Sequence, residues 1–282
     1  MATPGKSRKP TESRPSLADF EARVRRLLEA EPASRNVPLR KREQAQSRFY
    51  DALDAQSSEE MLEILEETLK LNPRHPDARL VLLGLLPPPP DETITFLRQI
   101  VDDAARELGP EAFAEYQPHF WGFHETRPYM RARHELAEQL REAGRPEEAI
   151  REFEGMLELN PNDNQGVRYP LLCDYLMLDR RAEARKLMRR YPGEQKFSPV
   201  FAWVLVLLRW LTPGRRGLET ALEAARKVNP YMEGYLKGHH KLPKTRPGSY
   251  ALGSREEAIC NADDLNRAWD RQPEARRWLM EQ

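Results

Sequence analysis

The sequence predicts an all-α fold, an α-solenoid of about five helix pairs followed by a helical C-terminal cap. Three observations lead there. Residues 129–163, YMRARHELAEQLREAGRPEEAIREFEGMLELNPND, hold two amphipathic helical patterns around a glycine turn. A Leu-Asn-Pro ending recurs at Pro73 and Pro161, with Val-Asn-Pro at Pro230. Units starting at Met130, Gln165 and Pro199 follow one another at spacings of 35 and 34 residues. Each helix pair buries its apolar face only by stacking on neighbours, so a recurring terminus marks an array.

Residues 1–16 are polar, basic and Pro-rich, and are expected to form a disordered tail without an apolar signal core. The repeat region is expected over 17–232. Its first helix, 17–30, is capped by Ser16, carries Leu17, Phe20, Val24, Leu27 and Leu28 on one side, and stops at Pro32. A basic connector from Arg35 to Arg42 leads to a helix with Phe49, Tyr50 and Leu53. Ser58, Met61, Leu62, Leu65 and Leu69 mark the second helix of the unit 42–75. Residues 76–109 read as a degraded unit, with Leu82, Leu83 and Leu86 before a Pro87–Pro90 turn and Ile94, Leu97, Ile100 and Val101 after it.

After Gly109-Pro110 comes EAFAEYQPHFWGFHETRP, an aromatic insertion without repeat character. The third unit has Leu136, Ala137 and Leu140 on its first helix and Ala149, Phe153, Met156 and Leu157 on its second. Gly144 supplies the left-handed residue that ends the first helix, and Pro146, Glu147 and Glu148 suit the next first turn. The fourth unit carries Leu171, Leu172, Tyr175, Ala184 and Met188, and the fifth Leu205, Val206, Arg209, Leu222 and Ala225. Residues 233–282 leave the pattern. A loop leads to Ser254-Arg255-Glu256-Glu257, which caps a helix through Trp269, and Pro273 opens a last helix with Trp278 and Leu279. These helices are expected to seal the last repeat.

Composition narrows the function classes. The chain has 45 basic and 45 acidic residues, unevenly placed: 12 and 6 over residues 1–50, 11 and 24 over 51–160, 22 and 15 over 161–282. Solvated helix faces account for such blocks, and with no net basic excess nucleic-acid binding gains little support. Cys173 and Cys260 form no paired framework, which points to a reducing compartment and a cytoplasmic location. The apolar run Pro199–Leu211 is shorter than the roughly 20 residues a bilayer span needs, and Arg209 interrupts it. It reads as a buried helix.

In the third unit, the small residues Ala137 and Ala149, the turn Gly144, Phe153 and the closing Pro161 fall at the offsets of the tetratricopeptide repeat. Arg133 stands where that repeat usually has tryptophan. HFWGFHETRPYMRARHELAEQL, GRPEEAIREFEGMLELNPNDNQGVRYPLL, YLKGHHKLP and WDRQPEARRWL together resemble a set of uncharacterised bacterial tetratricopeptide-repeat proteins. Their central portion is similar to the suppression-of-tumorigenicity-seven family of eukaryotes. The likeness covers about residues 45–282. It implies a right-handed all-helical superhelix, no catalytic residue and no cofactor.

The resemblance also implies a concave groove lined by set positions of each first helix. Here these are Arg131, His134, Glu138 and Arg141, then Gly166, Tyr169, Cys173 and Leu176, then Val200, Trp203, Leu207 and Trp210. The lysines and asparagines with which chaperone-tail-binding members clamp a carboxylate are missing from these positions. The expected role is that of a protein- or peptide-binding scaffold. Arg131, His134, Glu138, Arg141, Tyr169 and Cys173 would contact a segment of acidic and apolar character, with Trp121 in the insertion as the next candidate. An accessory domain of an enzyme or nucleic-acid complex, acting through its basic surface, is the alternative. Nucleophile elbows, phosphate loops, His-Glu-x-x-His and Cys-x-x-Cys motifs are absent, so no catalytic role is expected. His119 and His124, with Glu125 nearby, have no third strong ligand at helical spacing, which favours an aromatic plug over a metal site. The amide-rich segment 160–169 reads as a structural connector.

Overall fold

Helix boundaries fall where the chain offers a cap or a break. The computed structural model describes residues 16–30 and 37–282. The expected tail over residues 1–15, the stop at Pro32 and the start of the connector at Arg35 lie outside the described residues. Among the described residues the regular structure is wholly helical, with α-helices and two short 3-10 turns and no strand. The chain falls into two compact units.

The first unit comprises the described residues up to Glu115, together with Phe123–Gln139. It contains α1 (Leu17–Glu29), α2 (Leu39–Leu53), α3 (Ser58–Leu71), α4 (Pro76–Leu85), nearly all of α5 (Pro90–Tyr116) and most of α6 (Arg127–Glu142). Ser16 and Ser57 cap α1 and α3 by accepting the N–H groups of Asp19 and Glu60 at 3.2 and 3.1 Å, each pairing an otherwise orphaned donor. α2 packs along α3, and α1 lies against α3 and α4. Val24, Ala45, Leu62, Leu65, Leu82, Leu97 and Ile100 are buried between these helices. Gly109 takes a left-handed φ of 75° ahead of Pro110 and bends α5, yet the helix resumes to Tyr116. The first third of the aromatic insertion is therefore helical.

The second unit comprises residues 116–122 and 140–282. Besides the end of α6 it contains α7 (Pro146–Leu159), α8 (Arg168–Met177), α9 (Arg181–Arg190), α10 (Pro199–Trp210), α11 (Leu218–Val228), α12 (Met232–Leu236), α13 (Arg255–Asp270) and α14 (Pro273–Met280). α6 ends as expected: Gly144 adopts a φ of 72°, and the Arg145 N–H reaches back to the Leu140 carbonyl at 2.8 Å. α7 packs on α8, α8 on α9 and α10, and α10 on α11.

The recurrent Asn-Pro ending has a physical basis. Asn72, Asn160 and Asn229 are all buried. Asn72 Oδ1 accepts the Arg74 N–H at 3.0 Å, and Asn229 Oδ1 accepts the Tyr231 N–H at the same distance. In these two copies the side chain replaces the helix ladder that proline ends and turns the chain toward its next helix, whereas Asn160 donates from Nδ2 to Asn164 Oδ1 at 3.1 Å.

The C-terminal helices do not merely cover the final pair. α13 lies against α8 and α10 as well as α12. Its buried face is built from Ala258, Ala262, Leu265, Ala268 and Trp269, and small residues allow close helix approach. Asn229 anchors the return by donating to the Ser254 carbonyl and to Glu257 Oε2, both at 2.9 Å.

Candidate functional site

Arg141, Tyr169, Cys173 and Trp121 belong to the second unit, whereas Arg131, His134 and Glu138 belong to the first. Within the second unit the expected groove is filled. Arg141 is 7% exposed; its Nε donates to Asp174 at 2.8 Å and its Nη2 pairs with Asp264 of α13. Cys173 is fully buried, and that burial pushes its thiol pKa up. Trp203 packs against Trp269. Neither Arg141 nor Cys173 therefore lines an accessible surface, which corrects their expected place as partner contacts. Leu176 on α8 and Val200, Trp203 and Leu207 on α10 are likewise buried, in the two helices against which α13 packs.

Tyr169 is held equally firmly. Its hydroxyl donates to Glu194 at 3.0 Å and accepts from Arg168 at 2.6 Å, and its ring meets Phe201 edge-on. The Arg168 guanidinium sits 4.3 Å from the Tyr169 ring centre and also pairs with Asp163. Asp163 accepts the N–H groups of Val167 and Arg168 at 2.8 and 2.9 Å. The amide-rich segment is thus a structural connector, as its composition suggests. Trp121 is half-buried, next to the fully buried Phe120 in a 3-10 turn. On α9, Arg181 pairs with Asp179, Arg185 with Thr212 and Arg190 with the Leu157 carbonyl, so much of that helix's charge is spent within the fold.

In the first unit, Arg131 holds Asp77 through two bonds of 2.7 and 2.6 Å. Asp77 is 3% exposed, so this bidentate pair stabilises a buried carboxylate at the start of α4. His134 and Glu138 are half-buried farther along the same helix.

The same unit contains a cavity of about 550 Å³ that the sequence reading did not anticipate. One wall is a face of α2, formed by Leu39, Arg42, Glu43, Gln46 and Tyr50. Their three- and four-residue spacing aligns them on one side of the helix, while Ala45, Phe49 and Ala52 are buried. Asn72 and His75 come from the α3–α4 turn, Ala104, Glu107 and Leu108 from α5, and His124, Pro128 and Tyr129 from the approach to α6 and its first turn. Leu39 is 60% exposed and Tyr50 50%. Of the three apolar residues expected on this helix, α2 buries Phe49 and leaves Tyr50 and Leu53 exposed.

Polar groups with unmet hydrogen bonds stand among these apolar ones. His75 caps α4 by accepting the Ala78 N–H on Nδ1 at 3.2 Å, so its proton resides on Nε2, which has no partner. Burial pushes the His75 pKa down to about 4, with the nearby Asp77 opposing and Arg131 adding to the shift. Glu107 Oε2 accepts from Asn72 at 3.3 Å, while its Oε1 is buried without a partner. Burial raises the Glu107 pKa. Arg42 donates from Nη1 to the Glu107 carbonyl at 2.7 Å, but its Nε, like Gln46 Nε2, is buried and unpaired. No cluster of three or more metal-ligating side chains occurs among the described residues. The arrangement is suited to binding. Its sequence signal is Leu39 and Tyr50, which lie off the buried face that Ala45, Phe49 and Ala52 define on α2.

The chain matches no protein-family model, and no curated protein matches it.

Proposed function

We propose that this protein is a non-catalytic scaffold of the tetratricopeptide-repeat type that binds a protein partner through a peptide segment docked in the cavity of the first unit. The observation that carries this reading is the cavity itself: a chamber of mainly apolar surface bordered by the exposed Leu39 and Tyr50. Its volume lies within the roughly 300–1,000 Å³ typical of ligand sites, and apolar surface of this kind marks interaction sites. The partner site thus moves from the expected groove to α2 and its surroundings. Among the described residues no helix is long and apolar enough to cross a membrane. Both cysteines are unpaired, which supports a reducing, cytoplasmic setting.

A photo-crosslinking residue at position 50, compared with one at the exposed Leu252, tests the proposal. A defined partner peptide should be captured from position 50 and not from 252, and purified peptide should compete. Equal capture at both positions, or crosslinks only within the chain itself, would overturn it.

A further inference from the structure

The connection between α12 and α13, residues 237–254, has no regular structure, yet contacts fix it along its length. Loops longer than about 12–15 residues without secondary structure are uncommon in compact folds, and those that are not linkers mostly carry function. The outgoing arm starts at Gly234, whose carbonyl accepts the His239 and His240 N–H groups at 2.8 and 3.1 Å. The His240 ring stands edge-on to Tyr235, centroids 5.2 Å apart, and lies so close over Gly234 that no Cβ would fit there. The arm ends at Arg246, which pairs with Asp263 of α13 at 2.9 Å.

The return arm follows α13 back toward its N-terminus. Cys260 Sγ donates to the Pro247 carbonyl at 3.7 Å, and the Gly253 N–H donates to Glu257 at 2.8 Å. Arg255, the first residue of α13, reaches the Tyr235 hydroxyl at 3.4 Å. Both arms therefore run over the first two turns of α13, where residues 255 and 263 are about 12 Å apart.

The chemistry of this loop is one-sided. No acidic residue occurs from Gly234 to Arg255, a stretch that contains Lys237, Lys241, Lys244 and Arg246. The acids that face it from α12 and α13 are mostly engaged: Glu233 by Arg226 and Lys237, Glu257 by Asn229, and Asp263 by Arg246. Glu256 is left exposed beside Arg255. Lys241, Lys244 and Arg255 are exposed, and Tyr250 on the return arm is 50% exposed. The basic excess that the whole chain lacks is thus present locally.

Cations beside an exposed aromatic ring suit a strand of phosphodiesters with unstacked bases, because the charges track the backbone while a base lies on the ring. An acidic polypeptide would use the cations but not the ring. A duplex keeps its bases stacked inside and offers the ring no face. We infer that the loop over α13 is a contact surface for single-stranded nucleic acid, in which Lys241, Lys244 and Arg255 meet phosphates and Tyr250 stacks on a base. It belongs to the second unit and is independent of the cavity in the first.

The probe is a 5′-fluorescein oligothymidylate of about 12 nucleotides, titrated with the full chain by fluorescence anisotropy at several salt concentrations. Three phosphate contacts predict a slope of log K against log [salt] of about −2. Lys241→Gln with Lys244→Gln should reduce that slope to about −0.7 and weaken binding at low salt by about tenfold or more. Tyr250→Ala should weaken binding by about fivefold or more and leave the slope unchanged. All three side chains are exposed, so helical circular dichroism should stay at the wild-type value. Unlabelled oligothymidylate should compete at lower concentration than polyglutamate of equal charge or a DNA duplex of equal length. No anisotropy change at low salt, an unaltered slope in the double lysine variant, or unchanged affinity in the Tyr250→Ala variant would overturn the inference. Equal competition by polyglutamate or by the duplex would overturn it as well, and would mark the loop as a general polyanion contact.

Discussion

The indole rings of Trp203 and Trp269 meet edge to face, with centroids 6.2 Å apart and planes inclined by 67°. Both residues are fully buried. They join α10 to α13 across 66 positions of sequence and fix where the C-terminal helix lies in the second unit. Trp269→Ala should therefore destabilise that unit by ~3–5 kcal/mol, the usual cost of truncating a large core aromatic. Denaturant unfolding followed by far-UV circular dichroism measures the change. The double variant with Trp203→Ala should cost less than the sum of the single changes, because the two share one contact.

Deleting residues 250–282 tests the same relationship at larger scale. It would uncover the apolar faces of α8 and α10, including Val200, Trp203 and Leu207. Aggregation by light scattering is the expected outcome. A monodisperse truncation with cooperative unfolding would contradict the packing described here.

Arg131 and Asp77 form a pair of unequal exposure, with the arginine side chain 38% exposed and the carboxylate 4%. Arg131→Met leaves the buried carboxylate without its cation. The cost should be about 2 kcal/mol, below the ~3–5 kcal/mol of a fully buried pair because solvent screens the arginine side. Adding Asp77→Ala should return part of that loss in a thermal-unfolding double-mutant cycle.

His75 gives the first unit a definite pH response. Its pKa falls from 6.5 in the unfolded chain to about 4 in the fold. As pH drops below 6.5, the unfolded chain takes a proton that the folded ring refuses, so this contribution to stability is lost progressively between about pH 6.5 and 4. Glu107 works in the opposite direction, since its raised pKa favours proton uptake in the fold as pH falls toward 4.5. His75→Asn retains a capping side chain but removes the titration. The variant should show a smaller loss of unfolding free energy than wild type between pH 7 and 5.

The two thiols should react differently. Cys173 is fully buried with its pKa raised by that burial, whereas Cys260 is partly exposed. A chromogenic disulfide reagent should titrate one thiol in the native protein and two after denaturation.

The helices were legible in the sequence because their signals are local. Apolar spacing, the Ser16 and Ser254 caps, Gly144 and the helix-opening prolines at 146, 199 and 273 all act within a few residues. The location of the site was not legible, because it depends on which apolar face is left uncovered. Trp203 and Cys173 looked available until α13 was placed over them. Phe49 and Tyr50 are neighbours in sequence, and nothing local says that Phe49 faces inward and Tyr50 outward. Arg141 shows the same limit. Its position on a helix face follows from periodicity, but its pairing with Asp264 joins residues 123 apart and has no local signature.

That long reach sets an order of events during synthesis. The residues of the first unit all precede position 140, so every segment of its core is synthesised before α7 begins. The second unit must wait for Asp264 and Trp269, which follow Arg141 by 123 and 128 residues. Until α13 emerges, Arg141 lacks one of its counter-charges and α10 presents bare tryptophan and valine to the cytosolic milieu we propose. At about 5–20 residues per second, the ~60 residues between α10 and the end of α13 correspond to several seconds in which the nascent chain offers a surface that chaperones recognise. A unit closed by a helix so far along the chain thus stays open for as long as the codons between them take to read.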